Sequence, residues 1–283
     1  MTEVYGLLLI SYYIAVVAIV ILIYYKNGVA YKVSAPKEVT TPPSDLTYAE
    51  LSMLLYNKLS PDVFICTVID LISKNIFIVE KSEKEYFLFK DENVKVNLTE
   101  SEKYILKILD SMRDDKEALS LTQIFEYCNS RHNKGDFSIN YSVWKKITIS
   151  EVKKHFYEEK IFYNVVRVMT FLGIALVVLD ILLGVNTIAG YIAIVPIIGL
   201  PQFFNKVCKR TEEYTLEYEK WLVFKDYLIE HNSFALSRTE TFKYLCYGIM
   251  LDIRDFDKKI FKTDFIKYLC KALYNNIRMI GKE

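Results

Sequence analysis

Residues 165–185 and 188–204 are two apolar runs separated only by Asn186 and Thr187. A helix needs about 20 consecutive apolar residues to cross the hydrocarbon core of a bilayer. Two such runs with almost no loop between them leave few folds open. The spacing predicts a helical hairpin that enters a membrane and returns to the side it left. A third apolar run, residues 7–23, lies near the start of the chain. Charged residues still make up 25% of the 283, an ordinary share for soluble protein. Sizeable aqueous domains must therefore accompany the spans, sorted by the side of the membrane on which they fall.

Charge next to the spans predicts that side. The chain starts Met1-Thr2-Glu3 and has no Lys or Arg before Lys26. A secretory signal would begin with positive charge, so the first run is expected to be a retained anchor. Lys26, Lys32 and Lys37 follow it, which places the N-terminus outside and residue 26 onward in the cytosol. Lys153, Lys154, Lys160 and Arg167 precede or open the hairpin, Lys206, Lys209 and Arg210 follow it, and its turn is uncharged. Both hairpin ends are thus expected inside, in agreement with the first span. Tyr5, Tyr12, Tyr13, Tyr24 and Tyr25 suit the two membrane interfaces of the anchor.

Asp180 is the acidic residue within a span. It stands about one turn from Gly184, which favours the outer headgroup layer, with a polar contact inside the bundle as the other reading. Pro196 and Pro201 are expected to bend the third span or end it early. Gly173, Gly184, Gly190 and Gly199 offer close helix approach.

The soluble parts read as follows. Residues 1–25 form the anchor and residues 26–43 a proline-containing linker. Residues 44–97 open with a capping box, Thr47 with Glu50. A second helix begins at Pro61. Alternating runs at 76–79 and 86–89 flank a charged turn and predict a hairpin. Helix, helix and strand pair is a winged-helix-like order. Residues 98–163 start with a second capping box, Thr99 with Glu102, followed by helices, a polar loop-like stretch at 130–139 and a long amphipathic helix over 141–163. Residues 164–205 are the membrane hairpin. Residues 206–283 hold helices over 211–229, 242–253 and 263–280, the last basic and apolar enough to lie on the inner leaflet.

Chemical signatures are sparse. Cys66, Cys128, Cys208, Cys246 and Cys270 are scattered without a Cys-x-x-Cys, and His132, His155 and His231 are far apart. Neither a disulfide framework nor a metal site is expected. A Gly-rich phosphate loop, a nucleophile elbow and a His-Glu-x-x-His motif are all missing from the sequence, so no enzyme activity and no cofactor is expected. As a recognition helix, residues 61–74 would offer one base, Lys74, beside Asp62 and Asp70. Residues 40–163 carry 17 Lys and Arg against 20 Asp and Glu, a net of −3. Nucleic-acid binding relies on clustered basic residues, so nucleic acid is not the expected partner.

Three blocks resemble a known family. The first is Pro42-Pro43-Ser44-Asp45-Leu46-Thr47-Tyr48-Ala49-Glu50, followed by Ile69-Asp70-Leu71-Ile72-Ser73-Lys74-Asn75 ahead of the hairpin. The second runs from Arg210-Thr211-Glu212-Glu213 through Trp221-Leu222 to Tyr227-Leu228. The third is Tyr244-Leu245-Cys246-Tyr247. Together they resemble the YciQ-like family of predicted bacterial membrane proteins, over about residues 1–255. That pattern also includes an extracytosolic β domain ahead of the first span and a Gly/Ser-rich tail, which these 283 residues do not show. The family has no established activity, so the resemblance implies architecture and no mechanism. Its motif residues here are Pro42, Pro43, Leu46, Glu50, Asp70, Leu71, Trp221, Tyr244, Leu245 and Tyr247.

The expectation is a mainly α, multi-pass cell-membrane protein. It has three transmembrane helices, one N-terminal and two in a hairpin, a cytosolic winged-helix-like α+β domain and a C-terminal helical region. Residues 26–163 and 206–283 are cytosolic, and residues 44–163 and 206–283 are expected to pack together. The expected partners are the lipid bilayer and another protein or a second copy, and the expected role is a membrane-anchored interaction or assembly module. The alternatives are a membrane-tethered winged-helix DNA-binding regulator and a transport-associated subunit, for which Asp180 would be the polar site.

Overall fold

The computed structural model describes residues 2–28, 31–34, 36–82, 85–113, 117–130, 133–157, 163–182, 194–206, 209–231, 236–253 and 265–280. In chain order the elements are α1 (Thr2–Ile23), α2 (Tyr48–Tyr56), α3 (Asp62–Ser73), β1 (Phe77–Ser82), β2 (Glu85–Lys90), α4 (Glu100–Ser111), β3 (Ala118–Ser120), α5 (Leu121–Asn129), α6 (Lys134–Glu151), α7 (Tyr163–Leu182), α8 (Ile194–Lys206), α9 (Glu212–Glu230), α10 (Arg238–Met250) and α11 (Phe265–Ile280). They divide into two units. One comprises Met1–Ser34 and His155–Leu216, the other Ala35–Lys154 and Glu217–Glu283.

In the first unit α1, α7 and α8 pack around Leu9, Tyr12, Val16, Ile23, Val166, Met169, Leu176 and Leu200. The outward faces are as apolar as the core. Leu7, Ile10, Ile14 and Val17 on α1, Val168, Phe171 and Leu172 on α7, and Val195 and Ile198 on α8 are all exposed. A surface of this kind suits lipid rather than water. Two helices, Gly6–Lys26 and Asn164–Leu182, are long and apolar enough to cross a membrane. The third apolar run is represented by α8, 13 residues long. Its turn and first part, residues 183–193, lie outside the described residues. Of the two outcomes expected at its prolines, an early end does not occur, since α8 runs through Pro201 to Lys206.

Gly173 shows why a small residue stands on α7. A Cβ there would overlap the Tyr12 side chain and lie 2.8 Å from Ile197 Cγ1. Gly199 has open space instead, and Gly184 and Gly190 lie outside the described residues. Tyr12 is 2% exposed and fills a helix–helix contact, so its expected place at a membrane interface is corrected. Tyr24 and Tyr25, at the far end, are exposed.

The second unit is built around α3, whose Val63, Phe64, Ile65, Cys66, Thr67, Val68, Ile69, Leu71 and Ile72 are all buried. A helix apolar on every side must be covered on every side. The cover comes from α2, α4, α10 and α11, with β1 at its end. Phe64 also meets an aromatic cluster on α6, with ring centroids 6.4 Å from Phe137, 5.9 Å from Tyr141 and 5.0 Å from Trp144. The sheet has the order β1-β2-β3, antiparallel throughout. β1 and β2 pair from Phe77–Lys90 to Ser82–Glu85, so the strands extend into what reads in sequence as a charged turn. β3 adds a third strand, pairing Leu119 with Leu88.

Two further expectations change. Residues 134–139 are helical, not loop, because Phe137 turns inward at 0% exposure. The helix they open stops at Glu151, where Val152 adopts an extended conformation. On α11, Phe265, Leu269, Ala272 and Leu273 are buried. That apolar face packs on α5 and α3, with Phe265 5.3 Å from the Tyr86 ring on β2. It is therefore used within the protein, where the sequence suggested a helix lying on the leaflet.

Candidate binding cleft

The second unit carries an open cleft of about 980 Å³. Its walls are the N-terminal turns of α2 and α4, one face of α3 from Val63 to Ser73, the end of α6 and one face of α10. Local sequence rules place the first two walls. Thr47 accepts the Glu50 N–H at 3.2 Å while the Glu50 carboxylate accepts the Thr47 N–H at 3.1 Å. Thr99 and Glu102 repeat the arrangement at 3.3 and 2.8 Å. Both capping boxes were legible in the sequence. Glu151, at the end of α6, adds a second cap on α4 by accepting from the Ser101 N–H at 3.1 Å and the Ser101 hydroxyl at 2.5 Å.

A charged cluster lies on the cleft floor. Lys74 donates to Asp70 at 2.7 Å and also to Glu102. Burial pushes the Asp70 pKa up, and Lys74 recovers only part of that penalty. Burial acts on Glu102 in the same sense, but Lys74 and the Thr99 N–H outweigh it and hold its pKa low. Burial also opposes the Lys74 charge, yet the two carboxylates outweigh it and raise its pKa. The result is two carboxylates in one site with pKa values pushed apart, held by one ammonium.

At the rim Lys243 of α10 donates to Asp45 at 3.0 Å. Behind it Tyr247 is 0% exposed, and its hydroxyl reaches no hydrogen bond of ordinary geometry. Burial lifts its pKa to about 12 against the pull of the Lys243 ammonium. The Tyr247 ring packs 5.0 Å from Trp221 and 6.3 Å from Tyr48. Among the described residues no group of three or more His, Cys, Asp or Glu is placed to hold a metal ion. What the arrangement offers chemically is a mixed-charge, partly apolar recess with carboxylates in excess over lysines.

The motif residues of the sequence converge on this region. Leu46, Asp70 and Tyr247 line the cleft. Glu50 is buried in its capping box. Leu71, Trp221 and Leu245 are fully buried and Tyr244 is nearly so, its ring 5.8 Å from Phe224. Pro42 and Pro43 are half-buried in the segment leading into α2. Asp180 belongs to the other unit, on α7, where it is 1% exposed. Lys74, Glu102, Glu151 and Lys243 were not recognised as site residues from sequence. The sequence marks Lys74 only as a base beside Asp62 and Asp70, and Glu102 only as the third position of a capping box, which names a cap and not a site.

A model of the C-terminal domain of predicted membrane proteins of the DUF2207 family matches residues 36–255. The chain belongs to this family. The match covers all three motif blocks and ends within three residues of Asp252, where the described part of α10 gives way to a turn. No curated protein and no solved structure matches the chain. Membership makes this a predicted membrane protein of a family without an assigned activity, consistent with its two span-length helices.

Proposed function

We propose that this DUF2207-family chain is a multi-pass cell-membrane protein of YciQ-like type whose second unit is a cytosolic module for binding another protein. In this reading the N-terminus is outside, and residues 26–163 and 206–283 face the cytosol. The observation that carries it is the cleft: three motif residues far apart in sequence, Leu46, Asp70 and Tyr247, line one recess with a charged floor. Large mixed-polarity recesses are where binding partners concentrate.

The winged-helix-like order of α2, α3 and the β1–β2 hairpin gives this module its scaffold. DNA binding does not follow from it. A recognition helix must present side chains to a groove, whereas α3 is buried along its length and its one base, Lys74, is taken by two carboxylates.

The test is proximity labelling from the full chain in its native membrane, alongside the variant Asp45→Lys with Lys153→Glu, which reverses the charge of two cleft-lining residues. The wild type is expected to mark a reproducible set of neighbours that the variant loses. No reproducible neighbour, or a set unaffected by the variant, would sink the reading.

A further inference from the structure

The second unit is discontinuous, and its two segments are joined only through the membrane-spanning part of the chain. The later segment is essential cover. Cys66 on α3 is 0% exposed, and its Sγ lies 3.6 Å from the Cys246 carbonyl of α10. The Tyr56 hydroxyl of α2 donates to the Met250 carbonyl at 2.6 Å. The cleft too is incomplete without Lys243 and Tyr247 of α10. Docking this segment closes a loop of roughly 60 residues, and a free loop of that length resists closure entropically.

The first unit contains a joint at the base of this loop. Tyr157 and Arg210 form an antiparallel bridge. The Thr211 N–H donates to the Phe156 carbonyl at 3.0 Å. The Phe156 and Tyr214 rings meet edge to face at 4.7 Å, and the Arg210 guanidinium lies 5.4 Å over the Tyr157 ring. Thr211 also accepts from the Tyr214 N–H at 3.4 Å, so the same residue that bridges the two crossing strands starts α9. That helix runs on without interruption to Trp221, whose ring seats Tyr247 of α10.

We infer that this neck, Phe156 and Tyr157 against Arg210, Thr211 and Tyr214, is an assembly joint. It clasps the chain where it leaves for the membrane and where it returns, and so delivers α9 to α11 to the open face of α3. Completion of the second unit, cleft included, is thereby linked to formation of the membrane hairpin. The cleft is a product of a correctly threaded chain, whatever partner it takes.

The experiment reads maleimide labelling of Cys66 in membranes by peptide mass spectrometry, since labelling reports how often the cover opens. The intact chain is expected to resist labelling. A chain ended after Lys206 should label Cys66 readily, because α10 is gone. Full-length Phe156→Ala should label about tenfold faster, the response to losing an aromatic contact of this kind. Arg210→Glu, which keeps the neck's bulk while removing its cation, should shift labelling in the same direction. Membrane retention is measured in parallel, so a variant that fails to insert is recognised as such. Protection of Cys66 in the shortened chain would overturn the role of α10. Unchanged protection in both inserted neck variants would overturn the joint.

Discussion

Replacing Lys74 by Met gives the sharpest check on the cleft floor. The ammonium is shared by Asp70 and Glu102, whose side chains are 26% and 8% exposed, and is itself 30% exposed. Removing one partner from a fully buried ion pair costs about 3–5 kcal/mol. Exposure near one third screens much of this, leaving about 1–2 kcal/mol. For a unit of this size that is a fall in Tm of about 2–8 °C. Trp144 and Trp221 both belong to this unit and are 0% exposed, so thermal unfolding can be followed by their fluorescence in detergent. The pH dependence fixes the cause. The lowered Glu102 pKa gives stability that is present above its unfolded pKa and lost as pH falls through the folded one. The raised Lys74 pKa gives stability present below its unfolded pKa and lost only at strongly alkaline pH. Asp70, raised by burial, works the other way, stabilising at acid pH and losing that contribution as pH rises. The Lys74→Met deficit should therefore be full near neutrality and shrink as pH falls through the acid range, where Asp70 takes up its proton before Glu102. A deficit independent of pH, or no deficit at all, would refute the ion-pair account.

Other substitutions follow from single observations. Tyr247→Phe removes a buried hydroxyl without a well-formed hydrogen bond, so thermal unfolding should be unchanged or slightly raised. Thr47→Ala breaks the α2 capping box and should cost about 0.5–2 kcal/mol in denaturant unfolding. Gly173→Leu drives a side chain into Tyr12 and Ile197. It should lower the thermal stability of the detergent-solubilised membrane unit, whereas Gly199→Leu, into open space, should leave it unchanged.

Local signals in the sequence were read well. Thr47 with Glu50 and Thr99 with Glu102 each start a helix where expected, because a capping box is complete within four residues. Ser120 with Gln123 and Ser237 with Glu240 are boxes of the same kind. Each follows a stretch that reads as an irregular lead-in, which masks it as a helix start. β3 is three residues long, too short for period-two alternation to register. Its strand character comes from pairing with β2. The inward turn of Phe137 is not legible locally, because its sequence neighbours are polar and its partner, the Phe64 ring, is distant in the chain. The cleft was legible as scattered motif residues but not as a place. Asp45 and Lys243 are 198 positions apart, with the apolar helices α7 and α8 between them, and no local pattern reports such a contact.

Whether the two flanks of the hairpin lie on one side of the membrane is the most direct test of the account. Lys58→Cys marks the first segment and Asp226→Cys the second, both at exposed positions. Each is labelled in intact cells with a membrane-impermeant maleimide, and again after permeabilisation. The account predicts that both sites are protected in intact cells and both label once the membrane is opened. Labelling of either site in intact cells would contradict a cytosolic module built from both segments.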